Sequence, residues 1–114
     1  MYKRQLVLPT LPTEGVEDAA PTVLAEAQSM GVPVLAYRTG GTPEMVESSE
    51  CLVPGRTVED LAAHISKVLD LPVSEYADRS VRARVWAVTE RDVKRCAAEV
   101  LAVIRNLAET GRQR

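Results

Sequence analysis

Short apolar runs alternate with amphipathic stretches along this chain. Leu6-Val7-Leu8, ended by Pro9, reads as a buried strand, as do Pro33-Val34-Leu35-Ala36-Tyr37 and Cys51-Leu52-Val53, the last closed by Pro54-Gly55. Between the first two, Pro21 to about Met30 predicts a helix, with Pro21 at the first helical position and Gly31 as its stop. Gly40-Gly41 predicts a tight turn, after which Thr42 would cap a short helix opening with Pro43. Val58, Leu61, Ala62, Ile65, Val68 and Leu69 fall on one helical face, behind a Thr57 cap with Glu59 and Asp60 in the first turn. Leu71-Pro72 breaks that run. A helix over about 74–87 then carries Tyr76, Ala77, Val81 and Val85. A last helix over about 90–109 is expected to bury Val93, Ala97, Val100, Ile104 and Leu107, before a polar tail over 110–114.

The order is β-α-β-α-β-α-α-α. Alternation of this kind predicts the α/β class: a parallel sheet of about three strands, right-handed crossovers, and flanking helices. Three strands are few for such a sheet, so the reading expects a piece of a larger one with an exposed strand edge. Ligands of such sheets bind beyond the carboxyl ends of the strands, where loops 9–20, 37–42 and 54–57 lie.

Loop 9–20 leads into Asp18-Ala19-Ala20-Pro21-Thr22-Val23-Leu24-Ala25-Glu26, two acids eight residues apart. Between them the first-turn N–H groups of Thr22 and Val23 lack helical partners, and Cβ tilt leans Glu26 back toward Asp18. Unpaired donors suit a phosphate and carboxylates suit hydroxyls, the two kinds of group in a nucleotide sugar. Each residue also has a plainer reading. Glu26 could be an acid favoured by the helix dipole, and Asp18 a turn residue. Gly40 and Gly41 could offer amides to a ligand or simply make a turn, and Arg38 could reach a phosphate or a surface acid. His64 reads as exposed, with no catalytic partner.

Composition narrows the class. With 114 residues, 46% hydrophobic and 26% charged, the chain is sized for one globular domain. A net charge of −2, scattered Lys and Arg, and few aromatics give no case for nucleic acid. No apolar run approaches a membrane span. Cys51 and Cys96 lack metal-like spacing and read as reduced, packed thiols of a cytoplasmic protein.

The runs Asp18-x2-Pro-x-Val-Leu-x-Glu-Ala27, Gly31-x-Pro-Val34, Gly40-Gly-Thr-Pro-Glu44 and Leu52-Val-Pro-Gly55, in order, resemble the donor-binding half of family-4 glycosyltransferases. The resemblance extends from about Leu6 to Leu107. It implies a partial Rossmann-like sheet belonging to a GT-B fold and a retaining, metal-independent transfer of sugar from a nucleotide diphosphate donor. Bacterial polysaccharide or glycoconjugate synthesis is the implied setting. It assigns donor-sugar hydroxyls to Asp18, ribose hydroxyls to Glu26, and the neighbourhood of the diphosphate to Ala19, Ala20, Thr22 and Val23. Glu17, adjacent to Asp18, could substitute for it by a one-residue slip. No catalytic residue, metal or resident cofactor is implied here, the nucleotide sugar being substrate. The implied partner is a first, acceptor-binding Rossmann domain of the same chain; the basic diphosphate-binding residues are implied in the first half of the donor domain, and peripheral membrane association is implied for the full-length enzyme.

Two departures stand out. The first acid is usually Glu, and the residue after it usually Gly rather than Ala19, which would matter if that position needs φ > 0. Met1-Tyr2-Lys3-Arg4-Gln5 also resembles the translation of a sequencing adapter, so the biological reading is expected to begin at Leu6. Without Lys3 and Arg4, two positive charges, −2 becomes −4. The alternatives in other classes are a non-catalytic nucleotide-sugar-binding α/β module and a receiver-type regulatory domain. The latter is disfavoured because no acid cluster at a first strand end pairs with a downstream Lys.

Overall fold

The computed structural model describes residues 4–112. The expectations for Met1–Lys3 and for the last two residues of the tail lie outside them. Strands β1 (Leu6–Leu8), β2 (Val34–Tyr37) and β3 (Leu52–Val53) form one parallel sheet in the order β1-β2-β3. Leu6 pairs with Val34 and Ala36 with Leu52, so β2 is central and buried along its whole length. A strand covered on both faces has no reason to alternate, and Val-Leu-Ala-Tyr does not.

Helix α1 (Thr22–Ser29) follows β1, and α2 (Val58–Leu69) follows β3. α3 (Val73–Glu90) and α4 (Val93–Arg112) complete the chain. On one sheet face Leu24 of α1 packs with Val34, Ala36, Val46 and Leu52. On the other, Leu35, Tyr37 and Val53 meet Leu61 and Ile65 of α2. α3 packs against α1, and the Tyr76 hydroxyl meets both the N–H and the carbonyl of Arg4. The sheet is thus covered on both sides, as a parallel sheet requires.

Several local expectations are corrected. Pro21 caps α1 from outside, with ψ 96°, and is not its first helical residue. Thr42 does not cap the short helix. Gly41 precedes a single 3-10 turn, Thr42–Met45, and the buried Thr42 hydroxyl reaches back to the Tyr37 and Thr39 carbonyls at 2.8 and 2.7 Å. Thr57 does cap α2, accepting from the Asp60 N–H at 3.1 Å. In α2 Val58, Ala62 and Leu69 lie exposed; Val68 is buried and Leu61 and Ile65 half-buried. α3 buries Tyr76, Ala83 and Ala87, while Val81 and Val85 face outward. Small residues let α3 lie close on α1; the valines stand on its far side. α4 buries nothing, and its apolar stripe is uncovered. It begins after Asp92, whose carboxylate accepts from the Arg95 N–H at 3.1 Å, and it continues through 110–112, where a tail was expected. His64 is half-buried, its Nδ1 2.8 Å from the Asp60 carbonyl.

Candidate functional site

The carboxyl edge of the sheet carries the acidic loop, the glycine turn and the start of α1. Within the loop, Thr13 and Val16 pair across Glu14-Gly15, whose φ values of 53° and 78° make a two-residue hairpin tip. Glu14-Gly15 therefore lies at the tip of the loop, away from the α1 start.

The end of the loop is clasped to Gly40-Gly41. The Gly40 N–H donates to Glu17 Oε2 at 2.8 Å, and the Gly41 N–H donates to the Asp18 carbonyl at 3.0 Å. A Cβ on Gly41 would stand 1.5 Å from the Ala19 carbonyl oxygen, and one on Gly40 2.4 Å from that of Asp18. Gly40 also has φ +50°. Only glycines allow these two backbones to approach so closely. Both amides are committed within the protein, which is the turn reading of the pair.

Glu17 faces this clasp. Its second oxygen lies 3.9 Å from the Arg56 guanidinium, a residue the sequence did not single out. The pair is exposed and contributes little beyond orientation. Asp18 is exposed, and its Oδ1 accepts from the Ala20 N–H at 3.1 Å. That leaves Oδ2 for an external hydroxyl and removes the Ala20 amide from the set of open donors. Ala19 does not have a positive φ, so the alanine there carries no backbone penalty.

No side chain among the described residues caps α1. The Leu24 N–H turns back to the Pro21 carbonyl at 3.1 Å, and the Thr22 and Val23 N–H groups find no partner among the described residues. Thr22, Val23 and Glu26 are exposed. The helix start thus presents two open amides, with an exposed carboxylate before it and another one turn into it. Arg38, just past β2, is exposed and forms no ion pair among the described residues.

Gln28, on the inner face of α1, is the residue sequence reasoning missed. It is fully buried, its Nε2 donates to the Leu24 and Met45 carbonyls at 2.8 Å each, and its Oε1 accepts from the Glu47 N–H at 2.9 Å. It ties α1 to the segment that follows the glycine turn. Its position four residues after Leu24, on the buried face, was the available signal.

Among the described residues no group of three or more His, Cys, Asp and Glu side chains is placed to hold a metal, and no helix is long and apolar enough to cross a membrane. Cys51 and Cys96 are free, and burial pushes the Cys51 thiol above its ordinary value. A pocket of about 210 Å³ opens at the opposite end of the strands, between α2 and α3, with His64, Lys67 and Arg79 on its wall.

A half-sheet of parallel strands, with an acid-flanked helix start at its carboxyl edge, places the chain among α/β proteins of Rossmann-like architecture. The family model described as glycosyl transferases group 1 matches residues 4–71, more than half the chain, and the chain belongs to that family. The match covers β1 through α2 and ends at Leu71, before α3 and α4. No curated protein and no solved structure gives a significant match.

Proposed function

We propose that this chain contributes the donor-binding part of a retaining glycosyltransferase that moves a sugar from a nucleotide diphosphate donor to a hydroxyl acceptor. In this reading the Thr22 and Val23 amides meet the diphosphate, where fixed dipoles offset the negative charge that grows as the leaving group departs. Glu26 accepts from ribose hydroxyls, and the free oxygen of Asp18 accepts from a donor-sugar hydroxyl. Glu17 and the Gly40-Gly41 turn hold the loop that carries Asp18, which is positioning rather than chemistry. Arg38, without an ion-pair partner among the described residues, can extend a guanidinium from the same edge toward the phosphates.

The reading assigns no nucleophile or general base to these residues, needs no metal in this part of the site, and treats the nucleotide sugar as substrate. It further takes the acceptor to a first Rossmann-like domain of the same chain, and the rest of the diphosphate contacts to the first half of the donor domain. Its setting is the cytoplasmic side of polysaccharide or glycoconjugate synthesis, with peripheral membrane association of the complete enzyme. The observation that carries it is the pair of open amides between two exposed carboxylates, in a chain of this family.

The test is amide-resolved NMR titration of the chain with nucleoside diphosphates and their sugar conjugates. Shifts are expected at Thr22, Val23 and Glu26. Glu26→Ala should weaken binding by about 1–3 kcal/mol, the worth of charge-assisted hydrogen bonds. Unchanged affinity in that variant, or shifts confined to other surfaces, would remove Glu26 and the α1 start from the site.

A further inference from the structure

The pocket at the amino ends of the strands lies apart from the donor site. His64, Lys67, Val68 and Leu71 face it at helical spacing, the last just past the end of α2. Its floor is aliphatic: Leu35 of β2, Leu52 of β3, Val68 and Leu71. Its rim is polar, and the rim groups left open are mainly donors. Lys67 makes no ion pair among the described residues. Arg79 reaches in from α3 with its side chain 20% exposed, and its buried Nε–H has no hydrogen-bond partner among the described residues. Ser49 adds a hydroxyl. His64 commits Nδ1 to the Asp60 carbonyl at 2.8 Å, which leaves Nε2. The one acid on the rim, Glu50, is already matched, by Arg79 at 3.7 Å and Arg82 at 3.1 Å. Open donors above an aliphatic floor select a ligand with an anionic acceptor head and an apolar body.

We propose that this pocket binds a small aliphatic carboxylate, its head held by Lys67 and Arg79 and its chain lying on the four aliphatic side chains. A carboxylate oxygen relieves the stranded Arg79 N–H, a group costly to leave unpaired in a buried setting. Size fits the same class. A cavity of about 150 Å³ takes a benzene ring, so the about 210 Å³ here takes a ligand of about eight non-hydrogen atoms, the size of hexanoate. Position within the fold keeps the pocket open. No residue of β1 lines it. The chain enters the sheet at β1, so a further half-sheet joins along the free edge of β1, with β2 standing between it and β3. A first domain would face the carboxyl edge, at the other end of the strands. The occupant therefore takes no part in sugar transfer, and its binding does not depend on a donor at the α1 start.

The experiment is amide-resolved NMR titration of the full 114-residue chain with hexanoate, hexanamide and acetate at fixed ionic strength. Hexanoate should give saturable shifts at Glu50, His64, Lys67 and Arg79 and none at Thr22 or Val23, with a dissociation constant in the millimolar range or below. Hexanamide, the neutral isostere, should bind at least about tenfold more weakly for want of a charged head. Acetate should also bind at least about tenfold more weakly, since each methylene withdrawn from water is worth up to about fourfold. Lys67→Gln should weaken hexanoate about fivefold, the loss of one partly screened charge-assisted bond. Lys67 is exposed, so melting of that variant should match the parent's. Shifts that do not saturate, hexanamide or acetate binding as tightly as hexanoate, or parent affinity in Lys67→Gln would each overturn the proposal. Shifts at Thr22 and Val23 with a nucleoside diphosphate report the donor site alone, so failure there and failure at the pocket are read apart.

Discussion

Replacing Gln28 by Leu keeps the side-chain volume nearly constant and removes every polar contact it makes. The Leu24 carbonyl loses little, since it still accepts within α1. The Met45 carbonyl and the Glu47 N–H lose partners at 2.8 and 2.9 Å in a part-buried setting. A stranded buried group costs about 1–3 kcal/mol, with the N–H toward the upper end and the carbonyl toward the lower. The transfer gain from burying Leu in place of an amide offsets part of this, leaving a net loss of about 2–4 kcal/mol. Against a total of about 5–15 kcal/mol for a domain, that is a large fraction. The assay is equilibrium urea unfolding followed by circular dichroism and by fluorescence of Trp86, the one tryptophan. The midpoint should fall with the slope unchanged, since the change acts on stability and not on the surface exposed. A midpoint shift worth less than about 0.5 kcal/mol would show that the amide bridge does not hold α1 to residues 45–47, and the argument from stranded groups would fail.

Two further substitutions probe the same region. Gly41→Ala places a methyl where the Ala19 carbonyl stands, 1.5 Å away, so the acidic loop must move. A stability loss of about 1–3 kcal/mol is expected, with weaker nucleotide binding alongside it in the NMR titration; parent-like values in both would disprove the clasp. For Cys51, burial holds the thiol above its ordinary value of 9.0, with Glu47 adding to the rise. The unfolded chain therefore loses this proton at a lower pH than the folded one. The thiol's contribution to stability is intact below about pH 9 and is lost as pH rises from there toward the folded value. Comparing pH–stability curves of the parent and Cys51→Ala above that point should show a shallower decline in the variant; parallel curves would contradict the burial argument.

Much of the fold was legible because each element carries its own local signal. The unbroken Val-Leu-Ala-Tyr run of β2 indicates a strand covered on both faces, and it is covered on both. Thr57 before two acids marks the α2 start, and the structure shows that cap. What sequence periodicity does not reveal is which face a neighbour covers. α3 offers two candidate faces, and the one with Ala83 and Ala87 won because close helix contact favours small side chains. α4 has as clear a stripe as α2, yet nothing among the described residues covers it. Thr42 was expected as a cap, and Gln28 was not singled out, for a related reason. Their value lies in bonds to backbone atoms 3 to 19 residues away, contacts no local pattern encodes.

The candidate site shows how such non-local contacts decide geometry. Asp18 sits in an irregular loop whose own hydrogen bonds are few, so its position must come from elsewhere. It comes from Gly40 and Gly41, which take up Glu17 and the Asp18 carbonyl and leave no room for a side chain. Glu26 is fixed differently, by a helix anchored through Gln28 to the segment just after the same glycine turn. Both carboxylates are therefore referenced to residues 40–47, one through the turn and one through the helix. This explains why an Ala can follow Asp18 without strain: the close approach is provided by Gly41 on the opposing backbone, not by the loop itself. A perturbation at the turn should move both acids, whereas one at Gln28 should loosen Glu26 while leaving the clasp on Asp18 in place.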